Sequence, residues 1–203
     1  MAPEPLSVPS YLLKSPPDGV EGAVVVSLVF EEQAPPTRER EIAAATGIAR
    51  RGERKRMFLY QPVRVEGTSM LPMLQDQDRL FVNKMAYRVG EIHRGDVVVF
   101  LYPHDHTKSY IKRVIALPGD HLHIDAGQVF VNGNRIDEGY VPMRFADNRS
   151  QQDTLLLPND YWVMGDHRSI SSDSRDFGPV DRGLIYGKAA FVYWPMDQAG
   201  VVR

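Results

Sequence analysis

The chain has 203 residues, 43% of them hydrophobic, with 24 basic side chains against 26 acidic ones and a formal net charge of −2. That length and apolar content suit one globular domain with a real core, while the near-neutral balance argues against nucleic acid as a partner, which requires a strongly basic face. Cysteine is absent, which excludes disulfides, thiolate metal sites and a cysteine nucleophile.

Residues 1–56 differ in character from the rest. Prolines stand at positions 3, 5, 9, 16, 17, 35 and 36, and the stretch ends in the charged TREREIAAATGIARRGERKR. The composition predicts a flexible or weakly folded N-terminal extension. Within it, the apolar run GAVVVSLVF (22–30) reads as a strand. It is far shorter than the roughly 20 apolar residues a helix needs to cross a bilayer. It also lacks the basic flank and cleavage site of a signal peptide. EREIAAATGIARR predicts a helix broken at Gly47, and Arg50, Arg51, Arg54, Lys55 and Arg56 form a basic cluster, either solvated or set against anionic lipid.

From Met57 onward, short β-rich runs alternate with turn residues. MFLYQPVRVEG is extended, with Pro62 blocking ladder pairing on one side. RLFVNKMAY, DVVVFLY, SYIKRVIAL, HLHID, QVFVNG, YWVMGD and LIYGKAAFVYWP follow. Asn132-Gly133 tolerates the left-handed conformation and marks a tight hairpin. Many short strands and few long helices predict a mainly β domain over 57–203. His104 and His106, and His121 and His123, are spaced to share strand faces. No third ligand stands at a recognisable spacing, so these are read as surface histidines and neither metal nor cofactor is expected.

The chemistry concentrates in two places. Ser69, in GTSMLP, has no G-x-S-x-G elbow around it and no histidine close in sequence. A serine hydroxyl is a poor nucleophile unless a base takes its proton. Lys112, in YIKRVIAL, lies on a strand whose alternation places Tyr110, Lys112 and Val114 on one face and Ile111, Arg113 and Ile115 on the other. Bulky apolar neighbours desolvate such a lysine, lower its pKa and leave an amine able to accept a proton near neutrality. On these two residues alone, a turn-capping serine and a solvated lysine remain the more common arrangement. A third stretch, GDHRSISSDSRDFGPV (165–180), is dense in Asp, Arg and Ser, and Arg–carboxylate pairs can lock such a loop with bidentate geometry.

Four blocks, QPVRVEGTSMLPML, RGDVVVF, YIKRVIALPGD and GDHRSISSDSRDFGPV, occur in this order. Over about residues 60 to 194 the chain resembles the bacterial type I signal peptidases, Ser-Lys endopeptidases of the membrane. The resemblance implies a β-sheet, barrel-like catalytic fold with few short helices, and cleavage of N-terminal signal peptides from exported preproteins after small residues. It implies Ser69 as nucleophile, Lys112 as general base, and Ser171 as a serine that hydrogen-bonds the Lys112 amine. Asp173 and Arg175 correspond to the structural carboxylate and guanidinium of the last block, with His167 where asparagine is usual. Met70, Leu74, Tyr110 and Ile111 correspond to the substrate pockets, and Pro62–Gly67 to the strand that receives the peptide backbone. The Ser69 N–H is the first oxyanion donor, whereas Gly67 removes the hydroxyl that some relatives add two positions before the nucleophile. Preproteins and a membrane surface are the implied partners, and the cell membrane, with the catalytic domain extracytoplasmic, is the implied location. The sequence shows no apolar run long enough to serve as the anchor. Two other readings carry different signatures: a self-cleaving Ser-Lys regulator, for which residues 1–56 are too proline-rich to supply a helix-turn-helix, and a catalytically silent peptide-binding β-domain.

Overall fold

Runs rich in Val, Ile, Tyr and Phe become strands because their branched and aromatic side chains pack well on a pleated surface. In the structure, a computed structural model that describes residues 25–28 and 59–203, the strands are β1 (Val25–Leu28), β2 (Tyr60–Glu66), β3 (Arg79–Asn83), β4 (Val97–Tyr102), β5 (Asp105–Ala116), β6 (His121–Asp125), β7 (Gln128–Val131), β8 (Asn134–Arg135), β9 (Gln151–Leu155), β10 (Asp160–Met164), β11 (Val180–Asp181), β12 (Ile185–Trp194) and β13 (Gly200–Val201). Two four-residue helices, α1 (Ala86–Val89) and α2 (Ser174–Phe177), fit the expectation of a mainly β chain. The predicted hairpin joins β7 to β8, with Asn132 and Gly133 at φ 52° and 77°.

The strands form a nine-stranded sheet, ordered β1-β2-β3-β12-β4-β5-β10-β11 with β13 beside β12, and a four-stranded sheet ordered β8-β7-β6-β9. β1 pairs antiparallel with both β2 and β5, so the path from β1 through β12 and β4 to β5 closes into a ring. β5 is the central element, buried continuously from Tyr110 to Ala116. Its side chains feed three apolar clusters. Ile111 joins Val63, Val65, Leu80 and Val99; Tyr110 and Val114 join Val98, Phe100 and Val163; Ile115 joins Leu122, Val129 and Trp162 at the small sheet. Burial on both faces is what allows a lysine on this strand to be cut off from water.

The strand expected within 22–30 is present over Val25–Leu28, and Val25 and Val26 are buried at 4% and 8% exposure. That part of the extension is therefore bound to the main sheet, because the β2 edge offers both ladder hydrogen bonds and apolar neighbours. The helix expected over EREIAAATGIARR (39–51) and the basic cluster lie outside the described residues. Among the described residues no helix is long and apolar enough to cross a membrane. His104, His106, His121 and His123 are exposed, as the sequence suggested.

Candidate active site

β2 delivers the chain to Ser69 through a turn that needs a glycine. Gly67 has φ 109°, and its N–H donates to Asp76 Oδ1 at 2.8 Å. The following residues coil tightly, with Leu71 N–H bonded to the Thr68 carbonyl and Leu74 N–H to that of Met70. From the other side His167 clamps the turn: its N–H donates to the Ser69 carbonyl at 3.0 Å, and its Nδ1 lies 3.3 Å from the Thr68 carbonyl. The histidine that replaces the usual asparagine thus keeps the loop tied to the serine.

Lys112 sits in β5 opposite Val98 of β4. Lys112 and Ser69 are both fully buried, and the Lys112 Nζ is hydrogen-bonded to the Ser69 Oγ. Among the described residues this is the one hydrogen bond the amine makes. An ammonium carries three donors, and leaving two unmet in a dry interior is costly, so the neutral amine is the form that fits. Burial pulls its pKa down to about 8; Arg175 adds to the effect, while Asp173 and Asp166 oppose it. The Ser69 N–H makes no hydrogen bond among the described residues and is left available to an oxyanion.

The loop after β10 is built as a lock. Asp173 caps α2, accepting from the Arg175 N–H, and its carboxylate receives the Arg175 Nε and Nη2 at 2.8 and 2.7 Å. Its second oxygen also accepts the Gly165 N–H at 3.0 Å. Burial alone would raise the Asp173 carboxyl, but Arg175 and that N–H outweigh it and hold it below the usual range. Arg175 reaches on to Asp147 at 2.6 Å and to the Arg168 carbonyl at 2.9 Å.

Ser171 is brought beside this centre but does not make the expected bond. Its Oγ is buried without a hydrogen-bond partner among the described residues, and the Lys112 amine is bonded to Ser69. The proximity is carried by Gly165: a Cβ there would lie 2.3 Å from the Ser171 Oγ and 2.5 Å from the Ser69 carbonyl oxygen. Only a glycine leaves room for the Ser171 side chain and the Ser69 carbonyl to come this close to it.

The expected pocket residues are all buried in this structure. Met70, Leu74 and Ile111 are fully buried and Tyr110 is 2% exposed, so none presents surface to a peptide in this state. Met70, Leu74 and Ile111 pack in the core, and Tyr110 stacks on Tyr102 with centroids 4.7 Å apart. The β2 edge that was to receive a peptide is already paired with β1.

Sequence reasoning left the next residue of β5 without a role. Arg113, pointing away from Lys112, forms a bidentate pair with Asp166 at 2.8 and 2.7 Å, and both are almost fully buried. Arg113 also donates to the carbonyls of Gly95 and Arg203, and its guanidinium lies 4.3 Å from the Tyr140 ring centroid. Arg168 similarly pairs with Glu138. The usable signal was an arginine between Ile111 and Ile115 on one strand face, which must find a buried acid.

A buried serine bonded to a desolvated lysine, inside a β-fold and with no histidine ring hydrogen-bonded to the serine hydroxyl or the lysine amine among the described residues, defines a class: serine hydrolases that use an amine as the proton acceptor. The sequence comparisons narrow this class. The family described as signal peptidase, peptidase S26, matches residues 42–194, and the chain belongs to that family. Signal peptidase I of Bacillus caldolyticus is 39% identical over 156 residues, covering 70% of this chain and 84% of that protein. Probable signal peptidase I-2 of Synechocystis is 36% identical over 154 residues, covering 72% and 69%. A crystal structure of a signal peptidase I from Enterococcus faecalis aligns at 25% identity and a TM-score of 0.43, over 50% of this chain and 99% of that one.

Proposed function

We propose that this protein is a serine endopeptidase that removes N-terminal signal peptides from exported preproteins, with Ser69 as nucleophile and Lys112 as general base. Membership of the signal peptidase family supports the reaction. One observation carries the residue assignment: the buried Lys112 amine is hydrogen-bonded to the Ser69 hydroxyl.

Neutral Lys112 takes the Ser69 proton as Oγ attacks the scissile carbonyl, and the negative charge collects on the carbonyl oxygen. The Ser69 N–H, which has no hydrogen-bond partner among the described residues, is the donor that stabilises that charge, and Gly67 offers no side-chain donor to help it. The protonated amine then gives its proton to the leaving amine, which frees the mature protein. Water, activated by the same amine, hydrolyses the acyl-enzyme. Ser171 acts as a positioning residue: its unpaired Oγ is a ready partner for the Lys112 amine once Ser69 is acylated and no longer holds it. Asp173 and Arg175 keep that serine in place.

The membrane surface is the proposed site of action, and the near-neutral net charge argues against a nucleic-acid partner. Exposed apolar side chains gather at the β12–β13 end, where Phe191 pairs with Val201 and Trp194 and Met196 follow. Patches of this kind mark contact surfaces.

The test is cleavage of a purified preprotein by the full chain and by Ser69→Ala and Lys112→Ala. Each variant should lose at least about a thousandfold in kcat/KM while keeping its circular dichroism spectrum, as expected when a nucleophile or its base is removed. Near-normal turnover by folded Lys112→Ala removes lysine as the base.

A further inference from the structure

An extended peptide approaching Ser69 needs the space between the strand that leads into the serine and the strand that carries the lysine. The chain fills that space itself. β1 pairs with β2 from Val25↔Glu66 to Leu28↔Val63, and Val25 also stands opposite Tyr110 of β5, two positions before Lys112. The N-terminal end of β1 is thus the end nearest the dyad. Val25 and Val26 are buried, and neither Ser69 nor Lys112 has any exposed surface. A polypeptide carbonyl has no path to the Ser69 Oγ in this state.

We propose that β1 is an autoinhibitory strap, which occupies the substrate groove between β2 and β5 and must leave before a preprotein can be cleaved. This rests on the peptidase reading of the site. The occupant has the chemistry of a groove ligand: it is extended and apolar, and it takes its hydrogen bonds from a strand edge, as an added peptide strand would. It is also built to be displaced. Four residues make a short strand, and its connection to β2 runs through the long segment 29–59 rather than a tight hairpin. Tethering keeps it at an effective concentration on the order of millimolar, so a free peptide competes at a disadvantage equal to the fraction of open enzyme. Without β1 the ring opens between β2 and β5, which leaves two facing edges beside the dyad.

Val26 and Val65 are opposed across the β1–β2 ladder, and the chain has no cysteine of its own. The full chain carrying Val26→Cys and Val65→Cys therefore reports on the strap cleanly, with bond formation followed by intact mass. Oxidation should lower kcat/KM for a labelled peptide ending in Ala-x-Ala by at least about tenfold, and reduction should restore it. Separately, Ser27→Pro, which removes a ladder N–H, should lower KM several-fold and leave kcat within about twofold. Measurable and equal kcat/KM in the oxidised and reduced forms, or an unchanged or raised KM for an active Ser27→Pro, overturns the strap. Binding of the same peptide to the cysteine pair in a Ser69→Ala background, read by fluorescence anisotropy, separates the two readings. Binding lost on oxidation supports the strap even if no variant ever cleaves, in which case the peptidase reading is what fails. Equal binding in both redox forms rejects the strap whatever the catalysis.

Discussion

On the proposed mechanism, Lys112 sets the pH behaviour of the enzyme. Its ammonium form cannot accept the Ser69 proton, and burial moves the ammonium–amine transition from the free lysine range near 10.5 down to about 8. The sign follows: below this pH the enzyme is mostly protonated and inactive, and above it the competent amine dominates. Profiles of kcat/KM against pH should rise through about 8 and level off well before the ordinary lysine range, since that ratio reports the ionisation of the free enzyme. A limb centred near 6.5 that moves when His167 is mutated would assign the proton transfer elsewhere. At this scale the sequence was informative about identity and weak about orientation. Ser69 and Lys112 were singled out from their blocks, whereas the desolvation of the lysine comes from burial of β5 on both faces, which alternation alone does not encode. Which group the Ser171 hydroxyl faces depends on rotamers and on the Gly165 contact, and no local pattern encodes either.

Among the elements, β5 and the loop after β10 hold the site together, and they do so from both faces of one strand. Lys112 faces the serine; Arg113 faces Asp166, fifty-three residues later, in a planar two-bond pair. The two neighbours thus fix the strand to the loop that carries Gly165 and Ser171. Removing one partner of such a pair leaves a buried charge uncompensated, which costs about 3–5 kcal/mol. Arg113→Ala should therefore lower the urea midpoint substantially, while Arg113→Lys recovers only part of it because a lysine cannot make the two-bond fork. An unchanged midpoint in Arg113→Ala would show the pair to be dispensable. Strand existence was readable from residue type, and the Asn132-Gly133 turn from its backbone tolerance. The partner of Arg113 was not, because the two residues meet only after the sheet has brought β10 against β5.

For the whole molecule, closure of the ring is the main consequence of tertiary structure. It makes Val25–Leu28, from the proline-rich N-terminal stretch, part of the main sheet, and the apolar side chains of Phe191, Trp194, Met196 and Val201 stay turned to solvent. If that cluster rests on lipid, the full chain should co-sediment with anionic phospholipid vesicles, and the combined Trp194→Ser and Met196→Ser variant should lose most of that binding without loss of soluble-peptide cleavage. Wild-type protein that stays in the supernatant at low salt contradicts a membrane-facing role for this surface.

The sequence by itself determined the mainly β class, the serine and the lysine, and the loop that supports them. Each of these is carried by local residue type, by two-residue periodicity or by ordered motifs. Only the tertiary structure decided that Arg113 and Asp166 pair, that Ser171 stands without a hydrogen-bond partner, and that Val25–Leu28 lies between β2 and β5. Those facts are set by which surfaces become dry and which strand edges stay open once distant segments pack, and sequence proximity records neither.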